Sequence, residues 1–322
     1  MQLPTAVVMV RPASFGFNPD TAPSFMFQRE TTETSRKEIE RRARIEFDLL
    51  AGRLRDAGVD VIVLEDKEDL NTPDAVFPNN WVSFHHDGTV VLYPMMAPSR
   101  RPERRRDIIE KLETSGFRVS RLVDLTDHED RGRFLEGTGS VVFDHSDRLA
   151  YAALSKRTNE EVLRELCGTL GYQPVTFHAA QATGDTILHT DMIMSMGDRF
   201  AIFCGDSIAD TGERRRVVDS LKSTGREIIL IDLKQLEQYA GNVLQLQTKS
   251  DRSVLVISTS ACLALRTEQR DAIQRFTEIV SQTVLWKPCR SRKNGAHTRA
   301  RYKFRCPWLP PVTGRGFARR FG

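Results

Sequence analysis

The sequence predicts an α/β protein assembled from repeated strand–hairpin–strand–helix–strand units. Three observations carry that prediction. Apolar runs of strand length come in pairs around short polar turns, and each pair leads into a stretch with helical spacing. The turn aspartates Asp87, Asp147, Asp198 and Asp251 lie 60, 51 and 53 residues apart, a near-regular period of the kind that marks internal repeats. Units too small to bury a core of their own imply radial or stacked packing into one body.

Taken in order, the chain opens with a strand over Thr5–Val10, and Arg11-Pro12 then begins a loop reaching about Glu33. Loops of that length are often functional, for example as lids. Ile39, Ala43, Phe47, Leu50 and Leu54 recur at helical spacing between Ser35 and Ala57. Gly58 ends this helix and Val59–Leu64 is the next strand. The second unit pairs Trp81–Phe84 with Thr89–Tyr93, followed by a basic helix over Pro102–Thr114 and a strand over Phe117–Val123. The third pairs Ser140–Phe143 with Leu149–Leu154, with a helix over Asn159–Leu170 and a strand over Gln173–Phe177. The fourth runs Met192–Met196, Phe200–Cys204, a helix over Glu213–Ser223 and Glu227–Ile231. The last runs Asn242–Gln247, Ser253–Ser258 and a helix over Thr267–Val280, then breaks off. With the N-terminal strand and helix, five units can be drawn, the last incomplete. This divides the chain into a regular domain over 1–282 and a basic tail over 283–322. The tail reads either as disordered or as a native ending replaced by out-of-frame translation. Loss of a closing strand there would leave an exposed sheet edge.

Composition narrows the function classes. The 322 residues suit one large or two ordinary domains, and 40% are hydrophobic. No apolar run reaches membrane-spanning length, and Met1-Gln2-Leu3-Pro4 lacks the basic and apolar regions of a signal peptide. Five cysteines without metal-ligand spacing suggest reduced thiols in a cytoplasmic protein. The formal net charge of +4 belongs to the tail. Eleven Lys and Arg follow Trp286; without them 36 basic residues face 43 acidic ones, a net of −7. A nucleic-acid reading would therefore rest on the tail alone, which holds no recognisable module, and it is disfavoured.

The residues that can carry chemistry fall in four patches at the ends of the repeated strands. They are Asp74-Ala75-Val76-Phe77-Pro78-Asn79-Asn80, Ala97-Pro98-Ser99-Arg100-Arg101, Leu135-Glu136-Gly137-Thr138-Gly139 with Ser155-Lys156-Arg157-Thr158-Asn159, and Leu188-His189-Thr190-Asp191. Histidine moves a proton near neutral pH more readily than any other side chain. If this last stretch is a strand, His189 and Asp191 leave the same face and can share a pocket. Glu136-Gly137-Thr138-Gly139 is not a phosphate loop, since no helix is expected after it.

Together and in this order the patches resemble the guanidino-group-modifying superfamily. That superfamily includes dimethylarginine dimethylaminohydrolase, arginine deiminase and the amidinotransferases; within it the pattern is similar to the bacterial citrulline-utilisation hydrolases. The resemblance runs from Val7 to about Val280 and implies a five-bladed α/β propeller, the pentein fold, around a polar pocket. It implies a hydrolase of ureido or guanidino amino acids in arginine metabolism, acting through a cysteine thiolate without metal or cofactor. His189 matches the histidine that protonates the leaving amine and then activates water, and Glu136 the acidic residue beside it. Asp191 and Asp74 match substrate-binding aspartates. Arg100 and Arg157 match arginines that hold the α-carboxylate, for which a guanidinium fork is suited. Phe77 and Asn242 fall in matching substrate-site segments.

Two departures bear on function. Asn79 and Asn80 stand where the dimethylarginine hydrolases carry acidic residues, which favours a neutral ureido group over a cation and so citrulline over arginine. The Gly-rich segment that holds the family cysteine has no counterpart: Cys262 comes too early, Cys167 and Cys204 read as core thiols, and Cys289 and Cys306 lie in the tail. The alternative is therefore an inactive relative that binds an amino acid. The oligomeric state, a homodimer included, stays open.

Overall fold

The computed structural model describes residues 3–22, 35–282 and 311–312. Its strands form five separate three-stranded sheets. In the first, β1 (Ala6–Arg11) is followed by helix α1 (Arg36–Asp56) and a parallel neighbour, β2 (Asp60–Glu65). The second has β3 (Val82–Phe84) antiparallel to β4 (Thr89–Leu92), then α2 (Arg106–Thr114) and β5 (Arg121–Asp124) parallel to β4. After the single turn α3 (Gly137–Ser140), the third repeats the plan with β6 (Val142–Asp144), β7 (Leu149–Ala153), α4 (Glu160–Leu170) and β8 (Gln173–Phe177). The fourth has β9 (Met194–Met196), β10 (Phe200–Phe203), α5 (Thr211–Ser223) and β11 (Glu227–Leu230), with the short α6 (Leu233–Leu236) leading out. The fifth has β12 (Leu244–Gln247), β13 (Ser253–Ser258), α7 (Thr259–Ala264), α8 (Thr267–Gln274) and β14 (Glu278–Gln282).

The ββαβ plan is the expected one, with two corrections. The helix expected to run to Val280 ends at Gln274, and Glu278–Gln282 pairs parallel with β13. The fifth sheet thus has all three strands. The first is the one with only two long strands. Its third place is taken by β15 (Pro311–Val312), antiparallel to β1 at Ala6 and Val7. The edge expected to lie bare in the last unit is thus covered by β14, and the edge of β1 is paired over those two residues. The remaining expectations for the tail over 283–322 lie outside the described residues.

The middle strand of each sheet explains the packing. Side chains alternate between the two faces of a strand, and in every middle strand but β10, whose residues all join one large cluster, each face enters a different core. Val7 and Met9 of β1 join a cluster with α1 and with Val254 and Val256 of β13, while Ala6, Val8 and Val10 join β3, β4 and α2. In β4, Val90 and Leu92 point into that second cluster, and Val91 into a third with α4. Ala150 and Ala152 of β7 belong to the third, Tyr151 and Ala153 to a fourth. Leu255 and Ile257 of β13 complete the fourth. The sheets are thereby joined in a closed ring, fifth to first included. Strands buried on both faces read as continuous apolar runs, which is why the repeat shows in sequence. Each fully buried Val or Leu contributes about 1.5–3 kcal/mol.

Polar clasps between turns of neighbouring sheets add to this. Arg226, before β11, forks onto Asp144 at 2.6 and 3.0 Å and donates Nε to the Gly197 carbonyl at 3.0 Å. Gln245 Oε1 accepts from the Asp198 amide at 2.7 Å. No helix among the described residues is long and apolar enough to cross a membrane.

Candidate active site

His189 has an extended backbone and starts a tight 3-10 turn over Thr190–Met192, with β9 beginning only at Met194. The strand geometry expected to place His189 and Asp191 on one face is therefore absent. The carboxylate at His189 Nε2 is instead Glu136, at 2.8 Å. Glu136 is fully buried and His189 is 1% exposed. Glu136 Oε2 also faces Arg157 Nη1 at 3.3 Å, and Oε1 accepts the Met96 amide at 3.2 Å. Burial alone would raise the Glu136 pKa. The Arg157 guanidinium, the His189 hydrogen bond and the Arg100 charge outweigh it and hold the carboxyl well below the usual range.

The backbone around this trio is locked by hydroxyls. Ser140 Oγ accepts from the Glu136 amide at 3.0 Å and donates to the Arg157 carbonyl at 2.8 Å. Thr190 Oγ1 donates to the Ser140 carbonyl at 2.5 Å and accepts from the Ala153 amide at 2.8 Å. Glu136 stands at the N-cap position of the turn α3, without a side-chain capping bond; the Gly-containing segment itself makes this single turn, and β6 rather than a helix follows it, as expected.

The loop from Asp74 to Asn80 forms the opposite wall. Asp74 accepts from Asn18 Nδ2 at 2.7 Å and Thr21 Oγ1 at 3.3 Å. Arg100 is 3% exposed and forks onto Glu103 at 2.9 and 2.8 Å, with Nη1 on Asn80 Oδ1 at 2.9 Å. Its Nη2 also reaches the carbonyls of Asp74 and Phe77 at 3.4 and 3.3 Å. Both guanidiniums expected to hold a ligand carboxylate also face carboxylates of the chain itself: Arg100 ties a loop to Glu103 and Arg157 faces Glu136. The Phe77 ring packs in the apolar cluster between the first and fifth sheets.

The amides differ from the arginines. Neither atom of the fully buried Asn79 amide has a hydrogen-bond partner among the described residues, nor has Asn80 Nδ2. Asn242 donates Nδ2 to the Asp191 carbonyl at 3.1 Å, leaving Oδ1 in the same condition. Buried polar atoms are nearly always paired, so such a cluster marks a place for a ligand or water.

Two glycines bring the patches together. Gly137 has φ +47°, and a Cβ there would stand 2.1 Å from the Asn79 carbonyl oxygen. A Cβ on Gly241 would stand 2.3 Å from the Met192 carbonyl oxygen, where Asn242 meets the Asp191 turn. Asn18, Thr21 and Glu103 escaped the sequence reading, whereas Ser99 and Thr190 stood within its patches, and Ser140 beside one, without an assigned role. Only Glu103 left a signal, three residues after Arg100 at helical ion-pair spacing.

Among the described residues the thiols are those of Cys167, Cys204 and Cys262. Burial pushes the first two up to about 11, which keeps them protonated near neutral pH. Cys262 sits partly buried on α7. Cys289 and Cys306 lie outside the described residues.

Residues 11–285 match the family model for N,N dimethylarginine dimethylhydrolase, eukaryotic. No curated protein matches the chain. Among solved structures it is similar to the N-terminal domain of ArgZ, an arginine dihydrolase from the ornithine-ammonia cycle in cyanobacteria, in a cysteine-to-serine mutant bound to substrate. That match has 14% identity and a TM-score of 0.64, covering 87% of this chain and 91% of that one. A cysteine-to-alanine mutant of AgrE with L-arginine matches at 14% identity and a TM-score of 0.64, covering 87% and 37%. A cysteine-to-serine mutant of DDAH from Pseudomonas aeruginosa complexed with citrulline matches at 15% identity and a TM-score of 0.58, covering 87% and 92%. At these identities the likeness is one of fold.

Proposed function

The chain belongs to the N,N dimethylarginine dimethylhydrolase family, and from that premise we propose a site for a ureido or guanidino amino acid, with citrulline favoured. The observation that carries the proposal is the buried His189–Glu136 pair at 2.8 Å. An anionic Glu136 favours the protonated imidazole, so His189 can give a proton to a departing amine and then take one from an incoming water. The preference for citrulline rests on Asn79, Asn80 and Asn242. A neutral ureido group offers N–H donors and a carbonyl acceptor in one plane, matching amides that have both kinds of atom unpaired. Asp74 and Asp191 supply the carboxylates of the site, and Arg157 keeps Glu136 ionised.

The chemistry needs a thiolate that attacks the ureido or guanidino carbon. Two of the described thiols are held protonated in apolar cores, and Cys262 lies on a helix of the fifth sheet. The reading is therefore binding with impaired turnover. Calorimetric titration of the purified full chain with L-citrulline, L-arginine and dimethylarginine tests it, with release of ammonia, or of dimethylamine from dimethylarginine, followed in parallel. Citrulline is expected to bind more tightly than arginine by about tenfold, the worth of one well-placed neutral hydrogen bond. Residual turnover should vanish in His189→Ala and survive Cys262→Ser. Absence of binding by all three amino acids overturns the reading.

A further inference from the structure

The N-terminal segment before α1 contributes a residue that nothing in the family reading assigned. Asn18-Pro19-Asp20-Thr21 turns back on itself, the Asn18 carbonyl accepting from the amides of Thr21 and Ala22 at 3.3 and 3.0 Å. This folds the Asn18 side chain inward, where it is 1% exposed. Its Oδ1 accepts from the Asp20 amide at 3.1 Å and from Ser99 Oγ at 3.2 Å. A backbone N–H can only donate, so the amide orientation is settled: Nδ2 is the atom directed at Asp74 Oδ2, 2.7 Å away. Asp20 Oδ2 in turn accepts the Ser99 amide at 3.2 Å.

We infer that Asn18 is a positioning residue for ligand recognition, holding the Asp74 carboxylate in place from the N-terminal segment and tying that segment to the loop of Ser99. The inference rests on the proposed reading of the site in one respect, that Asp74 meets the ligand. Asn18 joins three parts of the chain that are remote in sequence. Asp74 heads the loop that carries Asn79 and Asn80, and Ser99 precedes Arg100, whose Nη1 holds Asn80. A shift at Asn18 would therefore reach the unpaired amides through both neighbours.

A reciprocal exchange tests this. Asn18→Asp puts two carboxylates at hydrogen-bond distance, where they repel or share a proton. Adding Asp74→Asn restores one donor and one acceptor with their places swapped. We expect Asn18→Asp to lower the melting temperature and to weaken amino-acid binding by about tenfold or more. The double variant is expected to regain the melting temperature but not the binding, because the carboxylate now stands on the wrong residue. Binding of Asn18→Asp within twofold of the parent overturns the inference. So does recovery of binding together with stability in the double variant, which would mark a contact of fold alone. If the parent chain binds no amino acid, the proposed function falls by itself. The melting temperatures then decide: compensation in the double variant keeps Asn18 as the residue that holds Asp74, and additive losses overturn it.

Discussion

On one wall of the site Glu136 has a partner for each oxygen, and His189 and Arg157 converge on it. On the other wall Asn79 is buried with neither amide atom paired and Asn80 keeps one atom unpaired, as does Asn242 on the Asp191 turn, among the described residues. The carboxylate of the first wall is fully paired without a ligand. In the proposed reading the charges of this wall are arranged in advance for moving a proton, so nothing there would need to reorganise for a substrate. The second carries a desolvation cost that a ligand could relieve. The difference separates residues that set up chemistry from residues that select what enters.

Removing the charge from the first wall should have the largest effect. Glu136→Gln leaves Arg157 as a buried cation without its carboxylate, and loss of one partner of a buried pair costs about 3–5 kcal/mol. Chemical denaturation should show that loss; a change below about 1 kcal/mol would mean that the wall is not held by its charges.

Acid titration separates this wall from the rest of the protein. His85 and His145 lie in an aromatic and hydroxyl cluster between the second and third sheets, with Ser83, Tyr93, Phe143 and Tyr172. Burial, aided by nearby positive charge, pushes their pKa values down to about 3 and about 4. They stay neutral in the folded chain, whereas the unfolded chain takes up protons below about 6.5. Stability is thus full above about pH 6.5 and falls as the pH drops toward 4. Glu136 behaves as a carboxylate with a lowered pKa, so its contribution is present above about 4.5 and is lost only below that. Going from pH 7 to pH 5 should cost about 2 kcal/mol for each of the two histidines, about 4 kcal/mol together. His85→Gln should reduce that limb, and Glu136→Gln should leave it in place while removing the loss below 4.5.

The smallest effect has the opposite sign. Asn79→Leu replaces two unpaired buried polar atoms with an apolar side chain of similar size, and should raise stability by about 1–2 kcal/mol while abolishing ligand binding. A lower melting temperature with binding retained would show that Asn79 is a structural residue.

Much of the fold was legible because of how the middle strands are used. A strand buried on both faces favours a continuous apolar run, and β10 is apolar throughout while β4 and β13 carry Thr or Ser only at their ends, so the repeat stood out. The last helix was drawn too long for a related reason. Ile273, Phe276 and Val280 keep a helical spacing, and only pairing with β13 reveals that Glu278–Gln282 is a strand. Within the site, His189 and Glu136 were found by resemblance of their neighbourhoods. Arg100 and Arg157 were found as well, but their partners were not, since a guanidinium looks the same in sequence whether it faces a ligand or a glutamate.

By itself the sequence determined the repeated unit, the number of units and the residue types gathered at their ends. These follow from local rules, alternation along strands and periodicity along helices, that any stretch of ten residues can express. Only the tertiary structure decided which groups meet. The resemblance placed Glu136 beside His189, while local spacing offered Asp191 two residues on; the packing of segments 53 residues apart sets Glu136 at the imidazole. That choice depends on a turn where a strand was expected, and on Gly137 and Gly241 allowing backbones from different units to approach more closely than a Cβ permits. Such approaches are properties of the closed ring, because closing it sets the distances among its units.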